Sequence, residues 1–203
     1  FIEKDRWANG LMNTELAKVR LNTHLRYGGL FKGAGSETDV IYEVPGPTDV
    51  MPGTPCIYFK FMDSPTPDMI AQLRTRIWNH GRIPTLWIVA PDSVRIYDSF
   101  ARPQADDVHS ADNHLLGELQ RIGNTITSIE EFHKNRFDTG EFWRTGKGCD
   151  INPNQRVDSA LLRDLSATET ILVSQGLDST TAHALLGRAI FVKYLEDRKI
   201  LKP

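Results

Sequence analysis

The sequence has little cysteine: two residues in 203, Cys56 and Cys149. They lie far apart and in no metal-binding spacing, which excludes a disulfide framework and makes a reducing, cytoplasmic setting the expectation. Long hydrophobic runs are also missing. The longest apolar stretches, around TLWIVA and AIFV, fall far short of the roughly 20 residues a membrane-spanning helix needs, so no membrane partner is expected. Charge of one sign is not in excess either. Lys and Arg total 24 against 26 Asp and Glu, a net charge of -2. That excludes an overall basic coat for nucleic acid but leaves room for a local basic patch. The first ten residues, FIEKDRWANG, are charged early and have no apolar core, unlike a secretory signal. A first residue of Phe rather than Met points to a piece of a longer chain.

Several catalytic signatures are absent. There is no H-E-x-x-H, no cysteine–histidine cluster, and the six histidines are scattered without a readable Ser-His-Asp arrangement. His24 and His183 read as structural residues of helices. The loop Lys32-Gly33-Ala34-Gly35 lacks the lysine and Ser/Thr that complete a phosphate-cradling loop, so it reads as a flexible turn. An adenine methyltransferase route is excluded for this stretch alone. It has no glycine-rich loop after a strand to hold S-adenosylmethionine. Asn152-Pro153-Asn154 also differs from the Asn-Pro-Pro-aromatic motif that receives a flipped base.

What is present is ordinary globular composition, 40% hydrophobic and 25% charged, in a length suited to one large domain or two small ones. Leu11 to Phe31 reads as a helix, with Ala17, Leu21 and Leu25 recurring every four residues and Gly28-Gly29 ending it. Thr38–Val44 and Cys56–Phe61 read as strands, separated by the proline- and glycine-rich PGPTDVMPGTP, which neither a helix nor a central strand accommodates. A helix follows, with Thr66 as cap, Pro67 at its first position and Asp68 at its positive end. Ile70, Leu73, Ile77 and Trp78 line one face, and Gly81 stops it. PTLWIVA and VRIYDSF form two more strands; PDS between them is too short for a crossover, so they pair as a hairpin.

Beyond a polar break at 102–110 the pattern turns helical. HLLGELQRI reads as a short helix. Ser128-Ile129-Glu130-Glu131 and Ser166-Ala167-Thr168-Glu169 read as capping boxes that start helices, with RTGKGCDINPNQ as a long turn between them. Gly176 ends one helix and DSTT caps the last. Between Ala184 and Leu195 only Arg188 and Lys193 carry charge. A helix apolar on nearly all sides is packed on more than one side, so the chain is expected to continue into another domain. The fold class expected is α/β, a mixed sheet with flanking helices over 1–105, followed by an all-helical connector over 106–203.

One nuclease architecture holds Mg²⁺ with an acid in a turn and an acid-x-lysine on the next strand, whose alternation puts both groups on one face. Here Asp49 precedes the strand that carries Tyr58-Phe59-Lys60. Asp49 and Lys60 are the candidate catalytic pair. The second carboxylate is missing, because Tyr58 holds its place and a phenol with a pKa near 10 is neutral at pH 7. Glu37, Asp39 and Glu43 alternate onto one face of the preceding strand and are candidate substitutes. Asp49 with Glu43 is the candidate metal set, and a solvated sheet edge is the alternative. Arg74, Arg76 and Arg82, with His80, form a basic cluster near a helix C-terminus. They are candidates for DNA phosphate contacts or for helix capping. Trp78 and Trp87 read as core.

Two stretches carry a family resemblance. Pro55 to Phe100 resembles the N-terminal region of large DNA N6-adenine methylase and restriction-modification proteins. In these a Tyr-Phe-Lys strand, a Trp-Asn-x-Gly turn and a Pro-x-Leu strand recur in this order. Here they stand as Tyr58-Phe59-Lys60, Trp78-Asn79-His80-Gly81 and Pro84-Thr85-Leu86. His183 to Leu201, with Tyr194-Leu195-Glu196-Asp197-Arg198, resembles the helix that precedes the methylase domain in the same proteins. The resemblance implies a restriction-endonuclease-like (PD-(D/E)XK) front domain and a helical connector. It also implies a downstream methylase domain, with S-adenosylmethionine bound only there, and double-stranded DNA as partner. Asp49 and Lys60 match parts of that signature and Tyr58 departs from it. The departure favours a scaffold that positions DNA or the methylase over an active nuclease. A protein–protein interaction module without DNA contact is the alternative, and an unrelated soluble α/β domain is a third reading.

Overall fold

A computed structural model describes residues 11–13, 38–44, 46, 53–103, 113–120, 130–197 and 200. The chain divides into two compact units, Phe1–Val157 and Asp158–Pro203. The first holds a mixed sheet and the helices that pack on it, and helices make up the second.

Six strands form the sheet in chain order: β1 Leu11–Asn13, β2 Val40–Val44, β3 Thr54–Phe61, β4 Thr85–Val89, β5 Ser93–Asp98 and β6 Leu115–Gln120. All neighbours are antiparallel except β3 and β4. Parallel strands need a crossover, and helix α1, Pro67–His80, supplies it. Its ends follow the expected chemistry. The Thr66 Oγ1 accepts from the Met69 N–H at 3.3 Å. Gly81, at φ 57°, takes the left-handed turn and donates its N–H to the Ile77 carbonyl, a conformation that glycine adopts without a Cβ penalty. The β4–β5 hairpin is also as expected.

Each sheet face has its own core. On the α1 side, Ile41, Tyr58, Leu86, Ile88 and Tyr97 meet Ile70, Leu73 and Ile77. On the other side, Tyr42, Ile57, Phe59, Trp87, Ile96 and Leu119 meet Phe132, Phe137, Phe142 and Ile151. The last four follow β6. This part of the chain includes helix α2 (Lys134–Asp138), helix α3 (Glu141–Thr145) and two short 3-10 turns, Lys147–Asp150 and Pro153–Gln155. Phe137 and Phe142 stack at 4.2 Å, and Trp87 meets Phe132 and Phe137 edge-on. Strands β3 and β4 are covered on both faces, which is why CIYFKF and TLWIV read as unbroken apolar runs.

Three sequence expectations need correction. Leu11–Asn13, expected to open a helix, form the edge strand β1, paired with β2 from Leu11↔Tyr42 to Asn13↔Val40. The helical stripe starts only at Leu16, and ladder pairing decides the residues before it; residues 14–37 lie outside the described set. Leu115–Gln120, expected as a helix, is strand β6, paired with β5. Gly117 is a poor helix interior, and a Cβ there would fall 2.6 Å from the Phe132 ring, so this aromatic cap requires glycine. Arg95 and Glu118 form a cross-strand ion pair at 3.1 Å. The sheet and its aromatic cover therefore extend past the boundary expected near 105, and the first unit ends at Val157.

The third correction concerns helix α4, Val157–Ser174, which runs through the second expected capping box. Its hydroxyls bond backward within the helix: Thr168 Oγ1 donates to the Asp164 carbonyl and Thr170 Oγ1 to that of Ser166. Ser128 of the first box lies outside the described residues, and Glu131 accepts the Lys147 N–H at 3.2 Å. Gly176, at φ 101°, follows the end of α4. Asp178 then caps helix α5, Ser179–Asp197, accepting the Thr181 N–H at 3.0 Å. Glu169 ties the two helices beside their turn, receiving Ser179 Oγ and His183. Each helix buries a single residue, Ala160 in α4 and Ala182 in α5. Leu161, Leu162, Ile171, Leu185, Phe191 and Tyr194 are each about half exposed or more. Among the described residues no helix is long and apolar enough to cross a membrane.

Candidate functional site at the end of strand β3

Register decides which acid Lys60 meets. Val40 pairs with Phe59, so Asp39 comes opposite Lys60. The Lys60 ammonium donates to Asp39 Oδ1 at 3.1 Å, and the Phe61 N–H donates to Oδ2 at 2.8 Å. The Asp39 N–H in turn donates to the Phe59 carbonyl, and Thr38 Oγ1 donates to the same carbonyl at 2.8 Å. Both Asp39 oxygens therefore hold β2 to β3. The Lys60 and Asp39 side chains are 19% and 33% exposed.

Tyr58 is two residues before Lys60 and shares its face. It is fully buried in the α1-side core, with Ile41 and Leu73 in the same cluster. The position at which the nuclease pattern needs a carboxylate is therefore a core position. Glu43 does not join Lys60. It pairs with Pro55 at the far end of β2, about 13 Å from Asp39 along the strand at roughly 3.3 Å per residue. A bulge between Tyr42 and Glu43 takes it out of the alternation that the sequence suggested. Asp49 and Glu37 lie outside the described residues. Among the described residues no three His, Cys, Asp or Glu side chains converge to hold a metal ion, and Asp39 is already engaged by Lys60 and Phe61.

The basic cluster also separates. Arg74 is 4% exposed, and its guanidinium lies over the Tyr97 ring at 5.4 Å. It helps fill the α1 interface, a correction to its expected place at a DNA surface. Arg76, roughly 200° further round the helix at 3.6 residues per turn, is exposed, and so is Arg82. Near Arg74, burial raises the Asp98 carboxyl above its ordinary range. The Phe100 and Ala101 N–H groups and the charges of His114 and Arg74 oppose that rise.

Trp78 is half-buried, and its indole N–H donates to two carbonyls, Phe100 at 3.1 Å and Gln155 at 3.0 Å. Two further arginines sit here. The Arg102 guanidinium lies 5.9 Å from the Trp78 ring, and that of Arg156 lies 5.5 Å from the Phe100 ring. Nothing in the sequence signals this grouping, because RPQ and NQR are far apart in the chain.

A separate polar cluster fastens α2 to the opposite sheet face. The Tyr42 hydroxyl donates to one Asp138 oxygen and the Lys134 ammonium to the other. Burial first, then Asp138, pushes the Tyr42 phenol far above its ordinary value. Burial does the same to the Cys56 thiol. Cys56 is thus protonated and enclosed, the opposite of a reactive thiolate.

Comparison with protein-family models, with curated proteins and with solved structures finds no match to this chain.

Proposed function

We propose that this chain is the front module of a DNA restriction-modification enzyme of the adenine-methylase type. In this reading it has a restriction-endonuclease-like fold that positions double-stranded DNA or the downstream methylase domain and does not cut. The observation that carries the reading is where the three family-like motifs fall. Tyr58-Phe59-Lys60 lies on β3, Trp78-Asn79-His80-Gly81 ends α1, and Pro84-Thr85-Leu86 leads into β4. They are consecutive parts of one strand–helix–strand crossover. Two facts favour positioning over cleavage: Tyr58 is committed to the core, and Lys60 is paired with Asp39. S-adenosylmethionine belongs to the methylase domain in this reading, and Mg²⁺ would enter this module only through a site built on Asp49.

Calorimetric titration of Mn²⁺ into wild type and Asp49→Ala tests the positioning role against a metal site. Neither protein should bind saturably. Saturable binding that Asp49→Ala abolishes would replace the positioning role with a nuclease site built on Asp49.

A protein–protein interaction module is the second reading, favoured by the half-exposed apolar residues of α4 and α5. Binding of a DNA duplex by the 203-residue chain separates the two readings.

A further inference from the structure

Trp78, Phe100 and the 153–156 turn bring together two arginines, Arg102 and Arg156, that the sequence keeps apart. The Trp78 indole N–H bridges the Phe100 and Gln155 carbonyls, which fixes the end of β5 against that turn. Arg102 rests over Trp78 and Arg156 over Phe100. Arg82 follows Gly81, the cap of the helix that carries Trp78. A Cβ on Gly81 would fall 2.7 Å from Val157 Cγ1, so the chain leaves α1 toward Arg82 beside Val157, the residue after Arg156. Arg82 and Arg102 are exposed and Arg156 is half-buried. The acid on β5, Asp98, is buried and holds the Phe100 and Ala101 N–H groups.

We infer that Arg82, Arg102 and Arg156 form a strip that contacts the phosphate backbone of double-stranded DNA. The inference rests on the proposed DNA-positioning role and assigns it a surface. The physical grounds are concentration and preorganisation. The chain as a whole carries a net charge of -2, yet the Arg102 and Arg156 guanidinium groups lie over two rings that the Trp78 bridge holds together, and Arg82 follows the cap of the helix that carries Trp78. A guanidinium held over an aromatic ring has its planar fork already oriented, so it loses less rotamer freedom on meeting a phosphate. Arg82, Arg102 and Arg156 read phosphate and not bases, so binding through the strip is independent of sequence.

The test is fluorescence anisotropy of a labelled random-sequence duplex against the 203-residue chain over a salt series. The proteins are wild type, Arg82→Gln with Arg102→Gln, Arg156→Lys, and Arg144→Gln with Lys147→Gln, two exposed positions, as an off-strip control. Each phosphate no longer neutralised makes the slope of log affinity against log salt shallower by about 0.9. The strip double variant is expected to lose about 1.8 in slope. Arg156→Lys keeps its charge and should keep the wild-type slope, and the off-strip variant should match wild type. An unchanged slope in the strip variant, with a loss in the off-strip variant, would overturn the strip while leaving the DNA-positioning role standing. No duplex binding by wild type at low salt would overturn both. Thermal melting of each variant separates weakened DNA binding from impaired folding.

Discussion

Removing Asp39 tests whether the Lys60 end of β3 is a structural join or a catalytic remnant. In Asp39→Ala two interactions go at once. The Phe61 N–H loses its 2.8 Å acceptor, worth about 0.5–1.5 kcal/mol net. The Lys60 ammonium loses its 3.1 Å partner; with both side chains partly exposed, that pair contributes about 0–1 kcal/mol. The expected total is about 0.5–2.5 kcal/mol. For a chain of this size each kcal/mol lowers Tm by roughly 2–4 °C, so the variant should melt about 1–10 °C lower. Asp39→Asn keeps an acceptor for the Phe61 N–H and should lose less. Urea unfolding followed by tryptophan fluorescence gives both differences. An acid kept for chemistry at a strained site would behave in the opposite way, because stabilising changes cluster where activity needs an unfavourable arrangement. An Asp39→Ala protein as stable as wild type, or more stable, would refute the structural assignment.

Three further outcomes follow from the packing. Gly117→Ala should destabilise the sheet by about 1–3 kcal/mol, because its Cβ meets the Phe132 ring and overpacking of that kind costs this much. Adding Phe132→Leu should recover part of the loss in the same urea assay, and no recovery would place the clash elsewhere. Asp98→Asn should gain stability over wild type as pH rises. The folded carboxyl has its pKa raised above its ordinary value, so its contribution is fully present below that ordinary value and is lost as pH climbs through the folded one. The amide variant has no such dependence and still offers an oxygen to the Phe100 and Ala101 N–H groups. A difference between the two proteins that shrinks from pH 4 to 7 would contradict this sign. Of the two cysteines, Cys149 is exposed and Cys56 is buried with a raised thiol. Ellman's reagent should label one thiol in the native protein and two in denaturant; rapid labelling of both would show that the β2–β3 end opens readily.

Local chemistry made α1 legible in the sequence: Thr66, Pro67 and Gly81 all act as their residue types predict. The β3 and β4 strands were legible from their apolar runs and the β4–β5 pair from its three-residue turn. Strand β6 was not, since LLGELQ fits a helical stripe as well as a strand. Only the open edge of β5 and the Phe132 ring over Gly117 decide between them, and both are tertiary. The candidate site was misread for a related reason. Period-two alternation placed Glu43 with Asp39, and the bulge at Tyr42/Glu43 breaks that period. Arg74 was misassigned because charge alone does not reveal an arginine that packs over Tyr97. Arg102 and Arg156 were invisible because only the Trp78 bridge makes them neighbours.

The central claim is a front module that holds DNA without cutting it. It is tested most directly by incubating the 203-residue chain with a labelled duplex and Mg²⁺, then resolving the mixture on native and denaturing gels. The expected result is a complex that weakens steeply with salt, while the DNA strands remain intact. Metal-dependent strand cleavage that Lys60→Ala abolishes would contradict the claim, and so would the absence of any complex at low salt.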